Sequence, residues 1–302
     1  MVWGSLTNTI LQREETIINF VWQLKKDGLS DVTIRNYSKS LEALVKRGAS
    51  LLEPESIKDI IASSSWSGST RTVIVAAYQK YAMLNNIKWT PPKYTQIRKL
   101  PFIPLETEID ALIACTGKKM SVLLQCLKET GARIGEALRI DWTDIDFEKR
   151  VININHPEKH GNVRGVKVSD KLIAMLCRLP RAGGKVFTTS WQVAHNSFNA
   201  QRKHAAQKLG NARILQIHFH TFRHWKATME YHRTKDILHV MRLLGHRSIA
   251  NTLLYTQLVE FEDDDAYMTA TADSVEDAEK LLSVGFEYVC QHRDIMLFRK
   301  RK

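Results

Sequence analysis

The spacing of apolar and polar positions divides the chain into a helical first third and a mixed remainder. Between Ile10 and Lys26, the apolar residues Ile17, Val21 and Leu24 share one helical face. Ser30 or Asp31 can cap the next helix. In it Ile34, Tyr37, Leu41 and Leu44 form an apolar stripe, Arg35, Lys39, Lys46 and Arg47 lie opposite, and Gly48 ends the run. A third helix is predicted from Pro54 to Ala62. After a serine-rich loop from Ser63 to Ser69, a fourth runs from Thr70 to Leu84. The segment from Trp89 to Pro104 holds Pro91, Pro92, Pro101 and Pro104 together with Lys93, Arg98 and Lys99, and reads as a stiff basic connector.

Beyond the connector, helical spacing predicts helices from Leu105 to Cys115, Met120 to Glu129 and Ile134 to Arg139. Asp141 to Asp146 reads as a turn into a strand. Val151 to Asn155 alternates in the strand manner, His160-Gly161-Asn162 is turn chemistry, and Val163 to Val168 returns, which makes a hairpin. Helices are predicted again from Asp170 to Arg178, Trp191 to Leu209, Thr221 to Tyr231, Lys235 to Leu244 and Ile249 to Leu258. The end carries an acidic run from Glu262 to Asp265, a short helix from Ser274 to Leu282, two strands over Phe286 to Cys290 and Ile295 to Phe298, and a basic tail from Arg299 to Lys302. The expected fold is mainly α with a small antiparallel β-sheet. Its parts are a helical domain over 1–90, a linker over 91–104, a mixed domain over 105–260 and a helix-and-hairpin tail over 261–302.

Charge narrows the partner. The 302 residues carry 44 Lys and Arg against 32 Asp and Glu, a formal net charge of +12, which favours a polyanion such as nucleic acid. No apolar stretch approaches the roughly 18 residues needed to span a bilayer, so no membrane role is expected. Met1-Val2-Trp3-Gly4-Ser5 lacks the basic and apolar regions of a signal peptide. Cys115, Cys126, Cys177 and Cys290 are scattered without a CxxC pair, so neither a thiolate zinc site nor a disulfide framework is expected, and the cytoplasm is the expected compartment.

Three places hold candidate chemistry. In Thr130-Gly131-Ala132-Arg133-Ile134-Gly135-Glu136, an arginine stands at a helix start, where free N–H groups favour an anion. His218-Phe219-His220-Thr221-Phe222-Arg223-His224 suggests zinc at first sight. However, no Glu stands in the HExxH position, no Cys is near, and Arg223 would repel a cation. His220 and Arg223, three apart, instead present one helical face to an anion. The third place is Leu243-Leu244-Gly245-His246-Arg247-Ser248 followed by Tyr255. Taken singly, each of these residues reads more readily as a surface charge, a structural histidine or a core tyrosine.

Together, in this order and with Lys159 on the hairpin before Gly161, they resemble the tyrosine recombinase (phage integrase) family, of the archaeal integrase or Xer-like kind. The resemblance is close from Leu105 to Leu258. Leu29-Ser30 with Thr33-Ile34-Arg35-Asn36-Tyr37 is similar, less specifically, to the family's helical SAM-like core-binding domain, which precedes a mixed α+β catalytic domain. The resemblance implies Tyr255 as the nucleophile that forms a 3′-phosphotyrosyl link to DNA and releases a 5′-hydroxyl. It implies Arg133 and Arg223 as the clamp on the phosphate, Lys159 as general acid, His220 as acid/base or orienting group, and His246 as a hydrogen-bond donor. Glu136 would buttress Arg133 and His220. Lys167, also on the hairpin, competes with Lys159.

The resemblance further implies double-stranded DNA at a specific attachment site as partner, with dimers on the site and a tetramer in the synapse. Localisation would be cytoplasmic and nucleoid-associated. No metal, ATP or other cofactor is expected. Arg35, Lys39, Lys46, Arg71 and Lys93 are the candidate DNA-backbone contacts, and the tail from Glu262 onward is a candidate for docking on another subunit. The expected activity is integration or excision of a mobile element. The alternatives are a Xer-like chromosome or plasmid dimer resolvase, a type IB topoisomerase and an inert DNA-binding protein.

Overall fold

A computed structural model describes residues 17–95, 100–181, 183–258, 267–292 and 295–301. The expected start of the first helix at Ile10, the connector residues Arg98 and Lys99, the acidic run from Glu262 to Asp265 and Lys302 lie outside the described residues. The chain divides into two compact units, Met1–Lys99 and Leu100–Lys302.

The first unit packs four helices: α1, whose described part is 17–26, α2 (Asp31–Val45), α3 (Pro54–Ser63) and α4 (Gly68–Leu84). Ser30 caps α2 by accepting from the Thr33 N–H, and Ser67 caps α4 by accepting from the Thr70 N–H. Pro54 begins α3, where its missing N–H costs nothing. The apolar stripes meet in one core of Leu24, Ile34, Leu41, Leu44, Ile57, Ile61, Ile74, Tyr78 and Tyr81. Within it the Tyr78 hydroxyl donates to the Leu51 carbonyl at 3.0 Å, and its ring meets Trp89 edge-on at 4.7 Å. α4 begins earlier than the serine-rich composition suggested. At Gly68, Thr95 O lies 2.7 Å from where a Cβ would sit, so a side chain there would collide with the backbone. The connector is not slack: Trp89 and Tyr94 pack on this core.

The second unit is built around α6 (Lys118–Thr130), nine of whose thirteen residues are buried. α5 (Glu106–Ala114), α8 (Asp170–Cys177), α9 (Trp191–Lys208) and α10 (Phe219–Thr234) join it in a core with Leu112, Leu123, Leu127, Ile152, Phe198 and Phe222. Phe102 and Ile103, at the far end of the connector, pack on this second core. Between α7 (Ile134–Ala137) and α8 runs a three-stranded antiparallel sheet of β1 (Ile145–Asp146), β2 (Val151–Ile154) and β3 (Arg164–Lys167). Ile152 pairs with Val166 and Ile154 with Arg164, so Arg164 shares the inward face with Val166, while Lys167 faces out opposite Val151.

Other expectations change as well. The segment from Ile249 to Leu258 is not one helix but two 3-10 turns, Ile249–Asn251 and Leu253–Leu258. Thr252 and Tyr255 each close bonds to the carbonyl three residues back, at 2.8 and 3.0 Å. α10 starts two residues before the predicted Thr221, because Thr221 Oγ1 accepts the His218 N–H, and it runs on to Thr234. Lys235 then takes a left-handed turn, so α11 covers Ile237–Leu244. The tail is more than a helix and a hairpin. A further strand, β4 (Tyr267–Ala272), pairs with β6 (Ile295–Arg301), which also pairs with β5 (Glu287–His292), and α12 (Val275–Ser283) packs Ala278 against Ala272 and Phe298. Among the described residues, no helix is long and apolar enough to cross a membrane.

The Tyr78 phenol carries a hydrogen-bonding group into the first core. Tyr78→Phe strands the Leu51 carbonyl and should lower stability by about 1–2 kcal/mol in urea unfolding, with helical content unchanged.

Candidate active site

The residues singled out in the sequence arrive from five places. α6 stops at Gly131 in the left-handed conformation, and two residues later Arg133 sits in extended backbone as the N-cap of α7. β2 and β3 are joined by a loop in which Lys159 and His160 both take positive φ, 54° and 56°. His220 and Arg223 stand in the first turn of α10. α11 ends at Gly245, also left-handed, which delivers His246. The second 3-10 turn delivers Tyr255. Arg133, Lys159, His220, Arg223, His246 and Tyr255 all line one cavity of about 320 Å³, together with His224, Arg247, Ser248 and Asn251. Lys167 does not line it. His218, the other histidine of the cluster, turns away, with Nδ1 2.7 Å from Arg202. No group of three His, Cys, Asp or Glu among the described residues is arranged to hold a metal ion.

Glu136 organises the cavity floor. Its side chain is fully buried and accepts from Arg133 Nη1 at 2.8 Å, Arg164 Nη2 at 2.7 Å and the backbone N–H groups of Arg133 and Glu158 at 2.9 and 3.1 Å. Arg223 Nη1 approaches it to 4.0 Å. Burial alone would raise the carboxyl, but Arg164 and the hydrogen bonds outweigh it and leave the group at about 2. Glu136 makes no hydrogen bond to His220, so the expected buttressing of that histidine is absent. Arg223, 1% exposed, donates to the carbonyls of Gly131 at 2.8 Å and Leu244 at 2.7 Å. It thereby ties together the two loops that carry Arg133 and His246.

Arg164 carries no motif of its own, yet it reaches Glu136 from β3 and also contacts the Asn162 carbonyl. The parity of β3 is the signal that finds it, since Arg164, Val166 and Val168 share one face and both valines are buried. Asn162 in turn donates its N–H to the Gly245 carbonyl at 3.0 Å, so the Lys159 loop rests on the turn before His246. Thr252 is a second unmarked member, its hydroxyl 2.9 Å from His246 Nδ1.

Burial and, after it, the neighbouring cations hold the histidines neutral. Burial, followed by Arg223, Arg133 and Arg164, lowers His246 to about 4. Burial and Arg223 lower His224 to about 4. His220 opens onto the cavity, but partial enclosure with His224, Arg223, Arg133 and Lys159 around it also pushes it down. Burial raises Tyr255 against the pull of Arg223 and Arg133, so the phenol keeps its proton near neutrality. The cavity is therefore strongly positive, with one carboxylate beneath it, neutral imidazoles around it and a phenol at its side.

In the first unit, Arg35, Lys39, Lys46 and Lys93 are exposed. Arg71 is not a free cation on that surface. It donates to the Ser64 carbonyl at 2.7 Å and lies 5.4 Å from the Tyr94 ring centroid.

An anion-shaped hollow flanked by a phenol, inside a mainly helical domain, is the class of site the fold presents. The chain belongs to the phage integrase family, whose profile matches residues 105–261. Among curated proteins, it is 23% identical to the tyrosine recombinase XerA of Saccharolobus solfataricus over 278 residues, covering 91% of this chain and 90% of that protein. It is 26% identical to XerA of Pyrococcus furiosus over 263 residues, covering 82% and 90%. Among solved structures, a lambda integrase dimer bound to a COC′ core site aligns with a TM-score of 0.62 at 14% identity, covering 80% of this chain and 94% of that one. The Tn1549 transposon integrase in complex with circular intermediate DNA aligns at 0.60 and 18% identity, covering 82% and 96%. The likeness to these structures is one of fold.

Two predictions follow from the packing. At Gly245 the backbone is left-handed (φ +66°), and a Cβ would meet the Asn162 carbonyl at 2.7 Å. Gly245→Ala should destabilise the second unit by at least about 1 kcal/mol and loosen the Lys159 loop, read as faster proteolysis near Gly161. The second concerns pH. His224 and His246 are held below their unfolded value of 6.5, and Glu136 below 4.5, so in each case the unfolded chain binds protons first. The urea midpoint should be flat near pH 7, fall as pH drops from 6.5 towards 4, and fall further below 4.5.

Proposed function

We propose that this chain is a site-specific DNA recombinase that cuts and rejoins strands through a phosphotyrosine. The observation that carries the reading is the convergence of Arg133, Lys159, His220, Arg223, His246 and Tyr255 on one cavity. Tyr255 attacks the phosphorus and holds the 3′ end covalently. Arg133 and Arg223 clamp the non-bridging oxygens and stabilise the extra charge of the pentavalent transition state. Lys159, on its exposed loop, protonates the departing 5′-oxygen, and His220 and His246 hydrogen-bond the phosphate. Lys159 suits this role better than Lys167, which lies outside the cavity.

The tyrosyl ester conserves the energy of the broken bond, so rejoining needs no nucleotide. The arginines and lysine supply the positive charge that a metal ion supplies in other phosphoryl-transfer sites. Exposed Arg35, Lys39, Lys46 and Lys93 on the first unit offer contacts to the DNA backbone. The tail after residue 260 serves to dock a second copy.

The biological outcome has two readings. Integration or excision of a mobile element is one. Resolution of chromosome or plasmid dimers is supported equally, because the XerA relatives align over nine-tenths of their own length.

The test uses nicked duplexes drawn from the source genome, incubated with the protein in EDTA without nucleotide and resolved on a denaturing gel. A covalent protein–DNA band that disappears with Tyr255→Phe is the expected result. No band, or one that survives Tyr255→Phe, would sink the proposal. Removing residues 261–302 should leave the adduct but abolish assembly on DNA, measured by light scattering.

A further inference from the structure

The Tyr255 hydroxyl has a single hydrogen-bond partner among the described residues, Nδ1 of His224 at 3.1 Å. The two rings are 5.8 Å apart and tilted by 53°, so the contact runs through the nitrogen rather than through stacking. His224 is one residue past Arg223 and one turn below His220, whose ring it meets edge-on at 4.5 Å. We propose that His224, through Nδ1, is the group that takes the proton from Tyr255 as that oxygen attacks. This rests on the reading of Tyr255 as the nucleophile.

The other bases near the hydroxyl are occupied or out of contact. His246 spends Nδ1 on Thr252. Glu136 is saturated by arginines and backbone N–H groups. His220 makes no hydrogen bond to Tyr255. A buried phenol that keeps its proton is a poor nucleophile, and a base in contact removes that obstacle at the moment of attack. Arg133, Lys159, His220, Arg223, His246 and Arg247 are the other titratable or charged side chains of the same cavity. Burial and Arg223 keep His224 neutral, with a lone pair free at Nδ1 when Nε2 carries the ring proton. A DNA phosphate in the cavity adds a negative charge, which raises the basicity of the imidazole. The base is thus strengthened by the substrate it serves.

The step balances. The proton of Oη passes to Nδ1, the Oη–P bond forms, and the bond from phosphorus to the 5′-oxygen breaks. That oxygen takes a proton from Lys159. In rejoining, the 5′-hydroxyl gives its proton back to Lys159 as it attacks, and His224 returns the other to Oη.

The test measures adduct formation on a nicked duplex with the wild type, His224→Asn and Lys159→Ala, from about pH 6 to 9. Parallel substrates carry either oxygen or sulfur at the bridging 5′ position. The Asn side chain keeps a hydrogen-bonding atom near the Nδ1 position but is not basic. His224→Asn should cleave about 100-fold more slowly at neutral pH. Its rate should climb about tenfold per pH unit, because the phenol must ionise unaided, whereas the wild type, whose base is already unprotonated, should change little over the same range. Bridging sulfur departs without a proton, so it should restore Lys159→Ala and leave His224→Asn slow. A fluorinated tyrosine at position 255, whose phenol is more acidic, should recover part of the lost rate in the Asn background. A His224→Asn profile parallel to the wild type, or rescue by sulfur, overturns the assignment. DNA retention in a mobility-shift assay checks that the variant is folded. Absence of a wild-type adduct would remove the nucleophile itself, and this role with it, whereas a wild-type adduct with an unaltered variant refutes His224 alone.

Discussion

A buried carboxylate surrounded by arginines sets the terms for the rest of the second unit. Glu136 receives Arg133 from the start of α7, Arg164 from β3 and the backbone of the Lys159 loop, with Arg223 of α10 beside it. A charge taken out of water is tolerated only when it is paired and hydrogen-bonded on all sides, and here the pairing spans three segments distant in sequence. Arg223 adds the second constraint by holding the carbonyls at the ends of α6 and α11. These two groups fix where the loops that carry Arg133, Lys159 and His246 lie against α10, which carries His220, Arg223 and His224.

The ledger of charge explains the chemistry of the hollow. One carboxylate cannot neutralise three guanidiniums, with Lys159 and Arg247 nearby as well. Burial, reinforced by this surplus, keeps the imidazoles of His224 and His246 deprotonated. It also leaves a position where an anion is strongly favoured. A phosphodiester placed there completes the electrostatics, and Tyr255 stands in contact with the same cavity.

The six residues of the resemblance stand out in the sequence by their chemistry and their order along the chain, and the structure brings them to one cavity. The helix caps were legible too, as Ser30 shows, although Ser67 was hidden among other serines and its helix was placed too late. Arg164 was harder to see. Its inward direction follows from strand parity, but an arginine on a hairpin first suggests solvent. Tyr255 lies on a 3-10 turn rather than an α-helix, because the hydroxyl of Thr252 is held by His246, a tertiary contact with no local trace. β4 escaped for a similar reason. Its Thr-Ala-Thr-Ala stretch alternates strand-favouring threonine with strand-poor alanine, a weak local signal, and is organised by pairing with β6, more than twenty residues away.

The central claim is that the surplus charge over Glu136 holds one DNA phosphate against Tyr255. Mass-spectrometric mapping of the covalent protein–DNA species, after digestion of both components, tests it most directly. The account predicts a nucleotide attached by its 3′-phosphate to the peptide that contains Tyr255. Attachment to any other residue, Ser248 in the same cavity included, or attachment through a 5′-phosphate, would contradict it.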